Sequence, residues 1–269
     1  MRNINIAELK QIQLDILRKV NDFCNTNKIE YTLFFGTLLG AVRHQGYIPW
    51  DDDIDIAMTR ENYEKFIKSF NEDSDFYHVY DYRQDSDYCL PYAKIADTRT
   101  LLIECTTTKN IGINIDLFPL DFAGNTRDNA IKNISSLNFC KILFRIKLLK
   151  PGQKNSFFKK VMICLAKIPF FFINMRKITS YEYRKINHLI KNPSEYMALI
   201  VDPEIGAAKK SIFKRELYEK HLQLQFEGDM FEAIADYGEW LQSVYGDYMK
   251  LPPVEKRQSP HTLNNVFWK

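Results

Sequence analysis

The acidic run at residues 50–56 (WDDDIDI) constrains this chain more than any other segment. Four carboxylates fall within five positions, and they repel one another unless water or a cation offsets their charge. Side chains alternate between the two faces of a β-strand, so Asp53 and Asp55 share one face while Ile54 and Ile56 enter the core. Carboxylates on one strand face suit hard divalent cations, which prefer oxygen ligands. The run therefore predicts a strand over 53–58 whose acidic face binds metal.

Two other interpretations of the acidic run are weaker. A solvated surface turn would explain a bare run of Asp, but the interleaved isoleucines indicate a strand that lies against a core. An EF-hand loop beginning at Asp51 would place Ile56 where that loop requires glycine and Asn62 where it requires glutamate. The EF-hand is therefore excluded.

A second acidic strand is predicted at residues 111–118 (IGINIDLF). Its apolar side chains at alternate positions form a buried face, and Asp116 lies on the opposite face. A lone carboxylate there would be costly without a partner. If the two strands are neighbours, Asp53, Asp55 and Asp116 form a three-carboxylate cluster of the kind that two-metal phosphoryl transfer requires.

A turn suited to phosphate precedes the acidic run, at residues 34–40 (FFGTLLG). A strand that ends in Gly-Thr and opens a helix presents backbone N–H groups to an anion. Gly36 permits close approach of the backbone, and the Thr37 hydroxyl can donate to a phosphate. A plain turn is the alternative for such a short motif taken alone, but its position sixteen residues before the Asp-x-Asp strand makes it more specific.

The remaining pattern predicts an α+β fold, with a mixed sheet and helices in a core at 1–126 and a mostly helical region at 127–269. Apolar spacing predicts helices, and period-two alternation predicts strands. The predicted elements of the core are helices at 7–24, 37–43 and 61–70 and strands at 31–35, 77–82, 91–96, 100–104 and 111–118. The helical region is predicted to end in a helix at about 229–245.

Four segments together resemble one known family, the LicD family of the nucleotidyltransferase superfamily, which has relatives of the fukutin type. They are residues 36–44 (GTLLGAVRH), 46–56 (GYIPWDDDIDI), 112–121 (GINIDLFPLD) and 245–253 (YGDYMKLPP). The resemblance covers roughly residues 31–122 and 226–261. It implies a nucleotidyltransferase-like core, with the C-terminal motif completing the site.

The resemblance also implies an activity. Family members transfer a phosphorylated alcohol, most often phosphocholine from CDP-choline, to a hydroxyl of a cell-surface glycan, a teichoic acid or a lipopolysaccharide precursor, and release CMP. The expected partners are thus a CDP-alcohol and a lipid-linked glycan acceptor. Donors carrying ribitol or glycerol phosphate, a metal-dependent glycosyltransferase and a non-catalytic protein of the membrane surface remain alternative functions.

The resemblance assigns roles to particular residues. Asp53, Asp55 and Asp116 would be catalytic and would hold Mg²⁺ or Mn²⁺, as two ions, while Gly36 and Thr37 would meet the diphosphate. Positive groups are also expected near the phosphates, and the candidates are Arg43 and Lys94, the latter because it lies between apolar residues of a strand. Aromatic faces bind quaternary ammonium groups, and the aromatic candidates for choline are Tyr47, Trp50 and Tyr92.

The basic charge of the chain is concentrated in one insert. The net charge is only +3, yet residues 131–180 contain eleven Lys and Arg and no Asp or Glu, so the other 219 residues sum to −8. The longest nearly apolar run, 161–173, is too short to span a bilayer, which takes about 20 residues. Residues 141–177 are therefore expected to make peripheral contact with an anionic membrane, and a helical subdomain with solvated lysines is the alternative.

The expected location is the cytoplasm, peripheral at the inner face of the plasma membrane. The first residues contain no apolar segment of the kind that a secretory signal needs. The five cysteines form no C-x-x-C pair, which is typical of thiols in a reducing compartment. The chain also has no recognisable nucleic-acid recognition motif, so no nucleic-acid partner is expected.

Overall fold

A computed structural model describes residues 1–103, 110–148, 156–170, 172–189, 192–201, 205–257 and 266–269. The helices of this part of the chain are α1 (Ile6–Asn27), α2 (Phe35–His44), α3 (Arg60–Ser69), α4 (Arg127–Ser135), α5 (Asn138–Leu148), α6 (Phe157–Lys167), α7 (Met175–Leu189), α8 (Ile205–Lys210) and α9 (Tyr237–Tyr245). Short 3₁₀ turns lie at Phe70–Glu72, Ile168–Phe170, Arg215–Tyr218 and Val254–Lys256.

The strands form one mixed sheet and two smaller ones. They are β1 (Arg2–Asn3), β2 (Thr32–Leu33), β3 (Asp55–Thr59), β4 (Tyr77–Tyr80), β5 (Ala93–Asp97), β6 (Thr100–Leu102), β7 (Asn114–Gly124), β8 (Tyr196–Ala198), β9 (Phe213–Lys214), β10 (His221–Phe226), β11 (Asp229–Ile234) and β12 (Val266–Trp268). The mixed sheet has the order β2-β3-β7-β5-β4, and β8 and β9 extend it from β7. Strands β10 and β11 form a hairpin, and β12 lies between β1 and β6. The predicted α+β class is confirmed.

Strand β7 is the centre of the mixed sheet. It pairs parallel with β3, and antiparallel with β5 and, at its far end, with β8. The residues that alternate with its acidic face, among them Ile115 and Leu117, are buried together with Ile54 and Ile56 from the acidic run. The sheet thus places both predicted acidic strands side by side at its middle.

Helix α1 covers the sheet from one side. It begins after Asn5, whose side chain accepts a hydrogen bond from the backbone N–H of Glu8 (2.9 Å) and so caps the first turn. An apolar stripe that includes Leu9, Leu17 and Val20 is buried, and the helix packs against β5 and β7. The predicted helix at 7–24 is confirmed and extends by one residue at its start and three at its end.

The helix predicted over 229–245 is wrong in its first part. Residues 229–234 form β11, which pairs with β10 through a turn at Glu227 and Gly228, and the helix begins only at Tyr237. Both turn residues have positive φ (51° and 89°), which is the requirement of a tight two-residue hairpin turn. The C-terminal region is therefore helical up to Leu189 and mixed after it, with β8 and β9 on the main sheet and a hairpin that packs against β2 and α2.

Part of the basic insert packs as a small cluster apart from the main core. Cys140, Leu143 and Ile178 are buried together on α5 and α7, with Phe170 and Ile173 packed against them. The main core is one cluster whose members run from Ile4 to Val266, through both predicted regions. Within the described ranges, no helix combines the length and the apolar character that crossing a bilayer requires.

Candidate active site

The parallel pairing of β3 with β7 sets Asp55 directly opposite Asp116. The register is fixed locally, because the backbone N–H of Asp116 donates to the carbonyl of Ile54 (2.9 Å). Residues opposite each other in neighbouring strands point to the same face of a sheet. The carboxylate cluster was predicted on the condition that the two acidic strands are neighbours. The structure meets that condition for Asp55 and Asp116.

Asp53 and Asp51 precede β3 and act on Asp55 electrostatically. Burial raises the pKa of Asp55 well above its ordinary value, and the charges of Asp53, Asp116 and Asp51 raise it further. Lys94 acts in the opposite direction. Among the described residues, no group of three or more acidic, His or Cys side chains is arranged as a ready set of ligands for one ion. The region thus holds an excess of negative charge that the protein's own cations offset only in part.

Lys94 lies on the same face as the two carboxylates. It opposes Asp116 across the antiparallel β5–β7 pair, and its Nζ lies 2.7 Å from Asp116 Oδ1. The same ammonium donates to Asn114 Oδ1 (2.9 Å), and only 7% of the residue is exposed. The positive group predicted near the phosphates is therefore at the centre of the sheet, held between two side chains of β7.

The predicted Gly-Thr turn, Gly36 and Thr37, lies in the first turn of α2, shortly after β2 ends at Leu33. The Thr37 hydroxyl is buried and accepts a hydrogen bond from the backbone N–H of Asp55 (2.8 Å), so it holds the acidic strand in place while its own proton remains to be donated. A side chain on Gly36 would put its Cβ 2.6 Å from Asp51 Oδ2. A larger residue at this position would therefore displace the Asp51 carboxylate, which packs against the Gly36 backbone.

The first turn of α2 is strained and has no side-chain cap. Phe35 has a φ of +39°, which non-glycine residues rarely adopt, and the N-cap residue Phe34 makes no capping hydrogen bond through its side chain. Backbone strain of this kind is often retained at functional sites. The uncapped N–H groups lie at the same end of the site as Thr37, where an anion can accept from them.

Gln13 is a site residue that the sequence analysis missed. It lies on the buried face of α1, and its Nε2 donates to the backbone carbonyls of Asp52 (3.0 Å) and Asn114 (3.2 Å). Its Oε1 accepts from the Tyr47 hydroxyl (3.2 Å). The side chain therefore ties both acidic segments to one helix. A polar residue inside the apolar stripe of α1 is the signal that could have identified it.

The three aromatic candidates for choline occupy different environments. Tyr47 is buried, with its hydroxyl bonded to the Lys10 carbonyl as well as to Gln13, so it packs in the core beside the site. Trp50 is partly exposed, and the Arg257 guanidinium lies 5.6 Å from its ring. Tyr92 is partly exposed, and its ring lies 4.7 Å from that of Phe118. Tyr92 lies immediately before β5, and the Phe118 ring that it contacts lies two positions after Asp116 on β7, on the same face as that carboxylate.

Arg43 faces the C-terminal motif. It extends from the last turn of α2 and donates to the backbone carbonyl of Tyr248 (2.7 Å) and to His44 Nε2 (3.0 Å). Burial lowers its pKa, and the nearby Arg257 acts in the same direction while Tyr245 opposes it. The structure thus joins Arg43 to the 245–253 motif, where Tyr245 feels the charges of both Arg43 and Asp55.

Tyr245 is a second residue whose role the sequence analysis did not derive. Tyr245 is 42% exposed. Partial burial nevertheless raises the pKa of its hydroxyl, and the charges of Asp55, Asp51 and Asp53 raise it further. The charge of Arg43 acts against that rise, so the Tyr245 hydroxyl lies near both the carboxylates and Arg43. Its hydroxyl stays protonated at neutral pH and can donate a hydrogen bond there.

The loop at 45–50 is held by the β10–β11 hairpin. Glu227 in the hairpin turn accepts from the backbone N–H of Tyr47 (3.0 Å) and donates its own N–H to the carbonyl of Gln45 (3.0 Å). A Cβ on Gly46 would overlap the Glu227 carboxylate, and one on Gly40 would overlap the Gly46 carbonyl. The C-terminal half therefore fixes the segment that leads into the acidic strand.

The arrangement can bind a phosphorylated ligand. It combines carboxylates on adjacent strands, a buried ammonium, a protonated tyrosine and uncapped backbone N–H groups, with aromatic rings at its edge. Carboxylates beside phosphate-binding donors are the parts from which metal-assisted phosphoryl transfer is built.

Comparison with known proteins gives concordant matches. Residues 28–171 match the family model described as LicD/FKTN/FKRP, nucleotidyltransferase domain. The chain is 30% identical over 271 residues to the lipopolysaccharide cholinephosphotransferase LicD of Haemophilus influenzae, and the match covers 99% of each chain. Uncharacterized proteins of Rickettsia typhi and Rickettsia prowazekii are 41% and 40% identical over 63 residues, which is 23% of this chain and 20% and 24% of theirs.

Proposed function

Because this chain belongs to the LicD family, we propose that it is a cholinephosphotransferase. The proposed reaction moves phosphocholine from CDP-choline to a hydroxyl of a cell-surface glycan, a teichoic acid or a lipopolysaccharide precursor, and releases CMP. The observation that carries the proposal is the full-length similarity to the Haemophilus protein that is named as a lipopolysaccharide cholinephosphotransferase. The position of the carboxylates and Lys94 on one face of the sheet supports it.

The donor set on that face fits a divalent cation. Carboxylate oxygens are the ligands that Mg²⁺ and Mn²⁺ prefer, and the raised pKa of Asp55 reflects burial together with surplus negative charge. Asp53, Asp55 and Asp116 would hold two ions. When bound, the metal would neutralise charge on the phosphates and on the leaving oxygen.

The chain's own donors would position the diphosphate. Lys94 and the protonated Tyr245 hydroxyl supply hydrogen bonds of fixed direction, and the first turn of α2, with Gly36 and Thr37, supplies backbone N–H groups. The acceptor hydroxyl attacks the choline-bearing phosphorus, the bond from that phosphorus to the bridging oxygen breaks, and CMP leaves with the electron pair. In this proposal Asp116 takes the proton of the attacking hydroxyl.

The choline head group would lie against the aromatic edge of the site. Tyr92 is partly exposed next to Phe118, and the Phe35 ring lies 5.7 Å from the Phe118 ring. Cations bind over aromatic faces at about 6 Å or less from the ring centre. Tyr47 packs in the core, so Tyr92 and Phe35 are the better aromatic candidates for the head group. Trp50, which lies beside Arg257, stays a candidate.

The acceptor in this proposal is lipid-linked, so the protein would act peripherally at the inner face of the plasma membrane. A glycan on a lipid carrier is confined to that surface. An enzyme that reaches it from the cytoplasm needs an open route from the membrane to the carboxylate face.

The proposal is tested by measuring CMP release from CDP-choline, CDP-ribitol and CDP-glycerol separately, with lipopolysaccharide and lipid-linked glycan fractions as acceptors. We expect release with CDP-choline to be fastest and to stop when EDTA removes divalent cations. Asp55→Asn should lower the rate by about a thousandfold, since it removes charge from the metal-binding face. The same variant should remain folded, because it relieves repulsion among the carboxylates.

The matched control is Asp22→Asn, at an exposed position of α1, which should behave as the wild-type protein. Release that is fastest with CDP-ribitol or CDP-glycerol would replace choline with another alcohol in the same chemistry. Absence of metal-dependent release from all three donors would contradict the proposed reaction. Full activity in Asp55→Asn would remove the carboxylate face from the mechanism.

A further inference from the structure

Helix α6 turns its apolar face to solvent. Phe158, Val161, Met162 and Leu165 follow the spacing i, i+3, i+4, i+7, which places them on one side of a helix. All four are exposed, Phe158 to 74% and Leu165 to 50%. A surface helix of a globular protein normally buries that stripe against its core. In α6 none of the side chains that the structure describes is buried.

The exposed stripe continues beyond the helix. Ile168 and Phe172 follow α6 and are also exposed, Phe172 to 94%. We call the six residues Phe158, Val161, Met162, Leu165, Ile168 and Phe172 the insert patch. Helix α5, which contacts α6, exposes Phe139 and Ile142 as well. Large apolar surfaces of this kind on soluble proteins usually mark interaction sites.

The charge around the insert patch indicates which kind of partner fits it. Residues 131–180 contain eleven Lys and Arg and no acidic residue, and Arg145 and Lys177 are exposed. A symmetric contact with a second copy of the chain would bring two such basic regions together. An anionic polymer would match the charge and leave the apolar stripe in water. A bilayer with anionic headgroups matches both features.

We propose that α6 and the turn after it lie in the interface of an anionic bilayer, with the insert patch at the boundary of the acyl chains. The helix is too short to span a membrane, so it lies along the surface. The exposed cations of the insert, among them Arg145 and Lys177, then contact lipid phosphates. This attachment goes beyond the proposed reaction, and it would hold the enzyme at the surface where a lipid-linked acceptor is confined.

The test is sedimentation of the full-length protein with vesicles, without nucleotide. We expect binding to vesicles of phosphatidylcholine and phosphatidylglycerol in equal parts, weak binding to phosphatidylcholine alone, and weaker binding as salt rises. The double variant Met162→Glu, Leu165→Glu should bind anionic vesicles at least about tenfold more weakly, because it places charge on the inserted face. Both positions are half exposed, so the fold should be kept, which circular dichroism checks.

The matched control is the double variant Met230→Glu, Val254→Glu, which adds the same charge at exposed apolar positions outside the insert. It should bind as the wild-type protein. Equal loss in both double variants would mean that net charge, and not the insert patch, governs binding, and would overturn the proposal. Failure of the wild-type protein to bind anionic vesicles at low salt would overturn it too, as would a wild-type dimer that the patch variant dissociates. Since no donor is present, these outcomes are independent of the CMP-release assay.

Discussion

Lys94 sets the charge balance on the face of the sheet that carries the acids. It bridges Asp116 and Asn114, and its charge lowers the pKa of Asp55 while burial and three neighbouring carboxylates raise it. A buried ammonium in that position is costly unless it is paired. The pairing with Asp116 keeps Lys94 in place before any ligand arrives, so a phosphate that reaches the site meets a cation that is already oriented.

Replacement of Tyr92 should change the KM of different donors by different amounts, according to their head groups. Tyr92→Leu keeps an apolar side chain but removes the aromatic face, so we expect KM for CDP-choline to rise by about tenfold, in line with a desolvated cation–π contact. KM for CDP-glycerol, which carries no cation, should stay close to the wild-type value. Steady-state kinetics with both donors measures the difference. An equal rise for the two donors would mean that Tyr92 supports the site without contacting choline.

At the scale of elements, α1 does more than cover the sheet. The carbonyls of Asp52 and Asn114 belong to the two acidic segments, and both accept from the same Gln13 amide. The hairpin β10–β11 acts on the same segment from the other side, through Glu227 and the loop at 45–47. The acidic strand is therefore positioned by elements from both ends of the chain.

Gln13→Leu should lower both the stability of the protein and its kcat. Leucine fills a similar volume, but it leaves two buried carbonyls without their donor, which costs about 1–3 kcal/mol for each buried group left unsatisfied. We expect kcat to fall by at least about tenfold, since small displacements in a site are costly. Gln11→Leu, at an exposed position two residues earlier, is the control and should leave kcat unchanged. Unchanged kcat in Gln13→Leu would limit Gln13 to a packing role.

The sequence predicted the elements that follow a simple period and missed those that depend on remote contacts. The acidic strand and α1 were predicted because alternation and helical spacing are local. The β10–β11 hairpin was missed although alternation at 221–226 and the Glu-Gly turn were both visible, because the apolar residues of 229–245 also fit a helix. The roles of Gln13 and Tyr245 depend on partners far along the chain, so no local pattern predicts them.

At the scale of the whole molecule, net charge is unevenly distributed. The acids of the site lie in and beside the mixed sheet, while residues 131–180 carry eleven Lys and Arg and no Asp or Glu. Glu182, on α7 just after that window, is only 2% exposed. Burial raises the pKa of Glu182 to about 8, although the charge of Lys141 acts against the rise.

Glu182 should make global stability depend on pH. The folded protein keeps a proton on this carboxyl that the unfolded chain releases, so the contribution of Glu182 to stability is greatest below the ordinary pKa of Glu and is lost as pH rises towards about 8, by up to about 1.4 kcal/mol per pH unit. Urea unfolding at several pH values measures the slope. Glu182→Gln should flatten the curve over this range, whereas the exposed control Glu219→Gln should keep the wild-type slope. An unchanged slope in Glu182→Gln would show that other groups cause the pH dependence.

The parallel pairing of β3 with β7 also determines when the site can exist during synthesis. Parallel neighbours need a long crossover, and here Asp55 and Asp116 are about sixty residues apart. When β3 leaves the ribosome its only possible neighbour is β2, because β7 has not been made. Contacts between distant segments also form slowly, since the loop between them must first close. A nascent chain that ends before β7 therefore has its acidic segment but no active site.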